Sequence, residues 1–258
     1  MPGDADIAAV ASLLAEPARV RVLLALGDGR ALPASVLAAE AGVAPSTASG
    51  HLRKLAEAGL VDVETHGRHR YHRLAGEDVA RLLEALAERA PARPVRSLRD
   101  DTRAHALRRA RLCYDHVAGR LGVALMGALL DRGVLAGGDG AFHPDDDGDD
   151  RLAAPGRDVD YRLTEHGCDE LLELGIDVGA LLSGRRTLVR YCVDWSEQRH
   201  HLAGALGAAL AHRMLELRWV RRADRSRALL LTPEGEQALA ERLGVVLADV
   251  RPAPAPAR

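Results

Sequence analysis

A ten-residue segment occurs twice in this chain, and this repeat limits the folds available to the second half more than any other feature. The segment HVAGRLGVAL begins at residue 116, HLAGALGAAL begins at residue 201, and seven of the ten positions are identical. Repeated segments predict repeated structural units that bury their apolar faces against each other. We therefore expect the second half of the chain to be a duplicated domain.

The similarity continues on both sides of the repeated segment. RLCYD precedes the first copy and RYCVD precedes the second, although six extra residues, Trp195 among them, separate RYCVD from its histidine. Each copy continues into a strand-like segment and a closing helix, so both copies follow the order helix, hairpin, helix. This order predicts two degenerate winged-helix-like repeats, at about 111–177 and 190–246, folded about a pseudo-twofold axis in a sensory or dimerisation domain of residues 113–250.

The composition predicts a mainly α protein with small β-hairpins. Hydrophobic residues make up 47% of the chain but aromatic residues only 3%, so the core consists largely of Ala, Leu and Val, which fill helix interfaces. Three scattered cysteines are too few for a disulfide framework, no charged-then-apolar leader is visible, and the longest apolar stretch is about half of the ~20 residues that a membrane helix requires. We expect a soluble cytoplasmic protein that contacts no membrane.

The N-terminal part of the chain contains a helix-turn-helix pattern. In SVLAAEAGVAPSTASGHLRKLAEAGLV, Gly42 marks the turn between two helices, the second of which should run from Pro45 to about Ala58. One face of this second helix is apolar, and the opposite face presents Ser46, Thr47, Gly50, Arg53 and Lys54. Hydroxyl groups and cations can contact phosphates and base edges, and a glycine permits close approach, so this face suits DNA. The alternative is an ordinary solvated face.

A basic-tipped hairpin favours the first interpretation. In GLVDVETHGRHRYHRL, Val61 and Val63 alternate with polar residues, and Gly67 allows a tight turn into a returning strand. The residues at the tip of this predicted wing are His66, Arg68, His69 and Arg70. Helix-turn-helix, wing and an apolar-striped closing helix together predict DNA binding. The net charge of -2 does not argue against it, because an Asp-rich run at residues 145–150 offsets arginines elsewhere.

These segments resemble the ArsR family of bacterial winged-helix transcriptional regulators. LLAEPARVRVLLAL, the helix-turn-helix segment and GRHRYHRL place the resemblance at about residues 5–90, within a predicted DNA-binding domain of residues 1–92. The resemblance implies a homodimer formed by the first and last helices of this domain, an inverted-repeat operator in double-stranded DNA and, usually, repression. It also implies DNA contacts by Ser46, Thr47, Ser49, His51 and Arg53 in the helix and by Arg68 and Arg70 in the wing.

The chain departs from the metal-sensing members of that family. Those members place cysteines in or before the recognition helix, or acidic and histidine ligands in the closing helix. Here residues 32–55 contain no Cys and residues 77–88 contain no His, so the usual metal sites are absent from the sequence.

Two segments outside the predicted domains have their own composition. Seven arginines against two acidic residues between Pro91 and Arg111 predict an arginine-rich linker helix at 93–112. The proline-rich residues 251–258 predict a disordered tail.

Candidate sensing residues lie in and just before the two repeated segments. These candidates are Cys113, Asp115, His116, Cys192, Asp194, Trp195 and His201. Thiolate, imidazole and carboxylate groups, which the sequence places together on a predicted helix in the first copy, can bind a soft divalent metal. Buried cysteines and helical histidines are also common packing residues, and the tryptophan could either contact a ligand or anchor the core. The sequence leaves these interpretations open and indicates no cofactor other than a divalent metal ion.

The sequence predicts a dimeric transcriptional repressor that an unidentified small molecule or metal releases from its operator. One alternative is a metal- or thiol-responsive regulator that uses the paired Cys and His residues of both copies. Another is an enzyme or a protein-interaction module with an accessory DNA-binding domain, with a cysteine as the nucleophile of the enzyme. The chain has no phosphate loop, zinc-protease helix or Gly-rich nucleotide turn, so we expect no catalytic residues.

Overall fold

The computed structural model describes residues 4–66, 69–91, 98–142, 159–224 and 226–247. Its helices are α1 Ile7–Leu14, α2 Pro17–Ala25, α3 Ala34–Ala41, α4 Pro45–Glu57, α5 Glu77–Arg89, α6 Leu98–Arg109, α7 Gly119–Asp131, α8 Glu165–Glu173, α9 Val178–Leu182, α10 Gly204–Glu216 and α11 Pro233–Leu243. Its strands are β1 Leu32–Pro33, β2 Val61–His66, β3 His69–Leu74, β4 Arg111–Cys113, β5 His116–Ala118, β6 Leu135–Ala136, β7 Arg162–Leu163, β8 Arg190–Val193, β9 His200–Ala203, β10 Val220–Arg222 and β11 Leu229–Leu231. The predicted mainly α fold with small hairpins is confirmed. None of the helices in these ranges has the length and apolarity needed to cross a bilayer.

The N-terminal domain is a winged helix-turn-helix, as predicted. Gly42 follows α3 in the left-handed region, with a φ of 68°, and this conformation turns the chain toward α4. Ala48, Leu52 and Leu55 of α4 are buried, and α4 packs on α2 and α3. Strands β2 and β3 then form the wing, and β1 pairs with the other edge of β3.

The closing helix α5 buries only part of its apolar stripe. Val79 and Leu83 belong to the domain core, whereas Leu82 is 38% exposed and Leu86 is 44% exposed. In α1, Ile7 is 76% exposed and no residue is fully buried. The first and last helices of the domain therefore leave apolar side chains at the surface of a single chain.

Each repeat of the second half consists of a hairpin, a helix, a second hairpin and a closing helix. In the first repeat these elements are β4–β5, α7, β6–β7 and α8, and in the second they are β8–β9, α10, β10–β11 and α11. The predicted order of helix, hairpin and helix is confirmed, and each copy has one further hairpin before it.

These leading hairpins show that the predicted helix around Cys113 and His116 is wrong. Cys113 ends β4, His116 begins β5, and the two residues are opposite each other in an antiparallel pair. The turn between them holds Tyr114 in the left-handed region, with a φ of 61°. Three-residue strands are too short to reveal a period of two, and no Gly or Asn marks this turn, so the sequence pattern favours a helix there. His201 likewise lies on a strand, opposite Cys192.

The helix of each repeat packs against the leading hairpin of the other repeat. Helix α7 contacts β9, and α10 contacts β5. A Cβ atom at Gly122 of α7 would lie 3.3 Å from His201 Cβ, and one at Gly207 of α10 would lie 3.2 Å from His116 Cβ. The same Cβ atoms would lie 2.3 and 2.7 Å from backbone oxygens, so the packing excludes a side chain at both glycines. The small residues of the repeated segment therefore bring the two repeats, and their histidines, close together.

Some predicted features lie outside the described residues. These are Arg68, the side chains of His66 and His69, the acidic run at 145–150 and the tail at 251–258. Helix α6 occupies most of the predicted linker helix.

Candidate functional site

The predicted DNA-facing residues of α4 lie on its solvent side. The apolar face of the helix points into the domain core, and the opposite face is open. Its exposed residues are Ser46, Thr47, Ser49, Arg53 and Lys54, and its half-buried residues are Gly50 and His51. The Ser49 hydroxyl donates a hydrogen bond to the Pro45 carbonyl at 2.9 Å, while the Arg53 side chain is 74% exposed. The start of the helix therefore presents hydroxyl groups, and its middle presents cations.

Packing among the described residues does not require a glycine at position 50. A Cβ atom added at this position would meet no atom of the described residues within 4 Å. A glycine in the middle of a helix costs about 1 kcal/mol relative to alanine, so its presence at an open position suggests close approach of another molecule.

The wing extends from the same domain as a second basic element. Strands β2 and β3 pair along their whole length, from Val61 opposite Leu74 to His66 opposite His69. Arg70 is exposed near the tip, whereas Arg73 is held by Glu64 at 2.9 Å. Arg70 is therefore the described wing arginine that is placed to meet a phosphate.

A second group of predicted residues comes together where the two repeats meet. Cys113, His116, Cys192 and His201 are all buried, and their potential metal-binding atoms lie within 4.8 Å of one another. Hairpin β4–β5 supplies one Cys–His pair, and hairpin β8–β9 supplies the other. Strand pairing within each repeat and packing between the repeats therefore gather four soft donor groups.

Each histidine of this Cys–His cluster has one ring nitrogen beside a carboxylate. His116 Nδ1 lies 3.3 Å from Asp115 Oδ1, and His201 Nδ1 lies 3.4 Å from Asp194 Oδ2, the second contact lacking hydrogen-bond geometry. In the described part of the chain, Nε2 of both histidines is buried without a hydrogen-bond partner. A buried unsatisfied polar atom costs about 1–3 kcal/mol, so these nitrogens require an explanation.

The thiol of Cys113 is held in its protonated form. A hydrogen bond with Cys192 and burial raise the pKa of the Cys113 thiol to about 12. This cysteine is therefore not an activated nucleophile, because such nucleophiles have a lowered pKa.

A buried ion network joins the cluster to the DNA-binding domain. Arg111 is fully buried and lies 3.0 Å from both Glu84 of α5 and Asp194. Arg227 also pairs with Glu84. Burial would raise the carboxyl pKa of Glu84, but the charges of Arg227 and Arg111 outweigh burial and lower this pKa to about 2.

Asp194 is the central carboxylate of this network. Its Oδ2 accepts a hydrogen bond from the Gly119 amide at 2.6 Å, and its Oδ1 accepts one from the Ser196 hydroxyl at 2.7 Å. Although burial opposes ionisation, Arg111 and His201 hold the pKa of Asp194 well below its usual range. Asp194 is therefore an anion that touches both the Cys–His cluster and the ion network.

A second bridge of the same kind starts from Asp115. Arg186 pairs with Asp115 and reaches Glu77 of α5 at 3.2 Å. A cavity of about 600 Å³ lies beside this bridge, lined among others by Asp115, Arg186, Asp28 and Arg30. Both carboxylates that flank the cluster histidines are thus connected through an arginine to α5.

Trp195 contacts the buried ion network. The Arg111 guanidinium carbon lies 4.7 Å from the centre of the half-buried indole ring, a distance typical of a cation–π contact. Among the described residues the indole Nε1 is buried without a hydrogen-bond partner. The structure therefore places Trp195 as a packing partner of a buried cation.

The sequence prediction missed the residues that connect the two halves of the chain. Glu84 and Arg227 belong to no motif, and Arg111, the first residue of RLCYD, is 27 positions from Glu84. Arg111 and Arg190 occupy equivalent positions in the two copies. This repeated arginine is the sequence signal that could have pointed to Arg111.

Comparisons with known proteins locate two levels of similarity. Residues 14–64 match the model of a protein family described as a helix-turn-helix domain. The chain is 41% identical over 240 residues to the Uncharacterized HTH-type transcriptional regulator YdfF of Bacillus subtilis (strain 168). These 240 residues are 93% of this chain and 98% of that protein. The similarity to YdfF therefore extends through both repeats.

Other similar proteins match the N-terminal part alone. The HTH-type transcriptional regulator CmtR of Mycobacterium tuberculosis is 38% identical over 85 residues, which are 33% of this chain and 71% of that protein. Among solved structures, the homodimeric winged helix-turn-helix DNA-binding domain of Mb0332 from Mycobacterium bovis is 34% identical and covers 33% of this chain and 86% of that chain, with a TM-score of 0.29.

Proposed function

The chain belongs to the family of HTH-type transcriptional regulators, and on this premise we propose that it is a homodimeric repressor of an inverted-repeat operator. A signal received by the duplicated half releases the operator. In this proposal residues 1–92 bind DNA, residues 93–112 link the halves, and residues 113–250 receive the signal. The duplicated half performs no catalysis.

The exposed face of α4 is the observation on which the proposal depends. Hydroxyl groups at its start, an open glycine and two exposed cations lie opposite a fully buried apolar face. This arrangement suits a recognition helix in the major groove, where cations neutralise phosphates and arginine can bind guanine through two hydrogen bonds. The proposed contacts are Ser46, Thr47, Ser49, Gly50, His51, Arg53 and Lys54, with Arg68, His69 and Arg70 from the wing.

The exposed apolar side chains of α1 and α5 support the homodimer. Ile7, Leu82 and Leu86 are all more than one third exposed in a single chain. A twofold dimer through these helices would present two copies of α4 to successive major grooves, about 34 Å apart. A signal lowers operator affinity only if it favours a dimer geometry that does not match this spacing.

The test compares two equally exposed arginines. After genomic DNA fragments that bind the protein have been selected, operator affinity is measured by fluorescence anisotropy for the parent, Arg53→Ala and Arg162→Ala. The Arg53 side chain is 74% exposed in α4, and the Arg162 side chain is 73% exposed in the first repeat. We expect at least about a fivefold loss for Arg53→Ala, since a specific base contact contributes about 1–3 kcal/mol, and little change for Arg162→Ala. Equal affinities of the two variants would place α4 away from the DNA.

A further inference from the structure

Cys113, His116, Cys192 and His201 offer a complete set of metal ligands, and we propose that they bind one divalent cation of the zinc class between the two repeats. Two sulfur and two nitrogen ligands in a tetrahedron are typical of closed zinc sites. Zinc bond lengths of about 2.3 Å to sulfur and about 2.0–2.1 Å to nitrogen correspond to ligand separations of about 3.3–3.8 Å. The four donor atoms already lie within 4.8 Å of one another, so small side-chain rotations complete the site.

The charge of this site suits its burial. All four residues are less than a tenth exposed, and an isolated divalent cation there would be strongly destabilised. On binding, the two thiols lose their protons to solvent, and two thiolates neutralise the two positive charges of the metal. Two neutral imidazoles then complete the coordination without adding charge.

The surroundings of the histidines favour a metal over simple packing. Histidines that bind metals commonly direct the second ring nitrogen to a carboxylate, which fixes the ring orientation. Asp115 Oδ1 is a hydrogen-bond partner of His116 Nδ1 at 3.3 Å, and in the second repeat Asp194 Oδ2 lies 3.4 Å from His201 Nδ1. In the described residues both Nε2 atoms are buried without a partner, and they are the atoms left for the metal.

The same two carboxylates connect the site to the DNA-binding domain. Asp194 pairs with Arg111, which pairs with Glu84 of α5. Asp115 pairs with Arg186, which reaches Glu77 of α5. Since α5 belongs to the proposed dimer interface, metal binding would change operator affinity. This second part of the inference rests on the proposed function.

Metal content tests the site without reference to DNA. The full chain is purified under reducing conditions, loaded with zinc chloride and desalted, and its zinc-to-protein ratio is measured by mass spectrometry. We expect one tightly held zinc per chain, a loss in the double variant Cys113→Ser, Cys192→Ser, and no loss in Cys168→Ser. Cys168 is the matched control because it is a partly exposed cysteine outside the cluster. Equal zinc contents of the parent and the double variant would overturn the site.

Cobalt spectroscopy tests the site in a chain with all ligands intact. Cobalt chloride should give the visible bands of a tetrahedral ion and a sulfur-to-cobalt charge-transfer band from two thiolates. His116→Cys should raise the intensity of that band by about half, because three thiolates replace two. A six-coordinate cobalt spectrum would also overturn the site. So would a Cys113–Cys192 disulfide that persists in protein purified under reducing conditions and is accompanied by no metal binding.

Operator affinity tests the connection to α5. The affinity of the zinc-loaded chain is compared with that of the chain treated with a chelator, and we expect a change within the 5- to 150-fold range of ordinary allosteric coupling. The double cysteine variant should show no such change. A chain that holds zinc and binds its operator equally well in both states would overturn the regulatory part. A chain that binds zinc but no DNA would instead contradict the proposed function.

Discussion

Comparing two helix glycines distinguishes an effect on folding stability from an effect on DNA binding. In the part of the chain that the structure describes, no atom lies within 4 Å of a Cβ atom placed at Gly50 of α4 or Gly127 of α7, and neither glycine has a positive φ. Glycine weakens a helix interior by about 1 kcal/mol relative to alanine. No contact among the described residues explains the glycine at position 127. Gly50, in contrast, lies in the middle of the proposed DNA-facing surface.

We expect Gly50→Ala to stabilise the fold and to weaken operator binding. The free energy of unfolding should rise by about 0.5–1 kcal/mol, because alanine favours the helix and meets no neighbour. The added methyl group should cost several-fold in operator affinity by preventing close approach. Urea denaturation and fluorescence anisotropy measure the two effects, and Gly127→Ala is the control that should gain stability without losing affinity. Unchanged affinity in Gly50→Ala would mean that DNA does not come near this position.

At the level of single residues, the sequence predicted which side of α4 is exposed but not the buried ion network. A helical period fixes the exposed face locally, so Thr47 and Arg53 could be assigned from the sequence. The pairing of Arg111 with Glu84 and Asp194 joins residues that are 27 and 83 positions apart, and no local pattern encodes such a distance. Charged residues are also expected at the surface by default, so a fully buried arginine is seen only in the structure.

Among the elements, α5 contributes to the core of its own domain and also leaves part of its apolar stripe exposed. Val79 and Leu83 are buried at one edge of the apolar stripe, whereas Leu82 and Leu86 at the other edge are exposed. Glu84, beside the buried edge, joins the ion network. An apolar stripe that is only partly buried is typical of a helix that packs both within its domain and against a partner.

We expect Leu86→Glu to disrupt the homodimer. A buried, unpaired carboxylate in the interface would be strongly unfavourable, so sedimentation velocity should show a monomer at concentrations where the parent is dimeric. Operator affinity should fall at least tenfold, because a monomer contacts only one half-site. Leu172→Glu in α8 is the control, since Leu172 is 66% exposed on a different helix. A dimeric Leu86→Glu protein would exclude α5 from the interface.

Long helices were predictable from the sequence, and the leading hairpins of the two repeats were not. The helix α4 was predicted to end at about Ala58 and ends at Glu57. Strands β4 and β5 have three residues each and were predicted as helix. The physical reason is that pairing across the turn at Tyr114, and not a period in the sequence, determines this structure. The error concerned the element alone, since Cys113 and His116 still lie side by side.

For the whole molecule, the internal repeat predicted the duplicated fold, whereas the connection between the two halves required the structure. Gly122 and Gly207 indicate close packing, but the sequence does not say what they pack against. The structure shows a reciprocal contact of helix and hairpin, and an ion network that extends from it to α5. Glu84 is the position where this network enters the DNA-binding domain, so its ionisation should affect the stability of the entire chain.

We expect Glu84 to make stability depend on pH in the acid range. Its pKa is about 2 in the folded chain against an ordinary value of 4.5. A carboxyl whose pKa is lowered by folding stabilises the fold fully above its ordinary pKa, and this contribution is lost as the pH falls toward the folded value. The free energy of unfolding should therefore decrease between about pH 4.5 and pH 2, by on the order of 3 kcal/mol from this group.

Urea denaturation followed by tryptophan fluorescence measures this loss, and Trp195 is a suitable reporter because it stacks on Arg111. Glu84→Gln keeps the shape of the side chain but cannot ionise, so the variant should be less stable at neutral pH and should lose less stability on acidification. Glu173→Gln, an exposed position at the end of α8, should retain the pH dependence of the parent. If Glu84→Gln and the parent lost the same free energy between pH 5 and pH 3, Glu84 would not be paired with Arg111 and Arg227 in solution, and the two halves of the chain would be joined by other contacts.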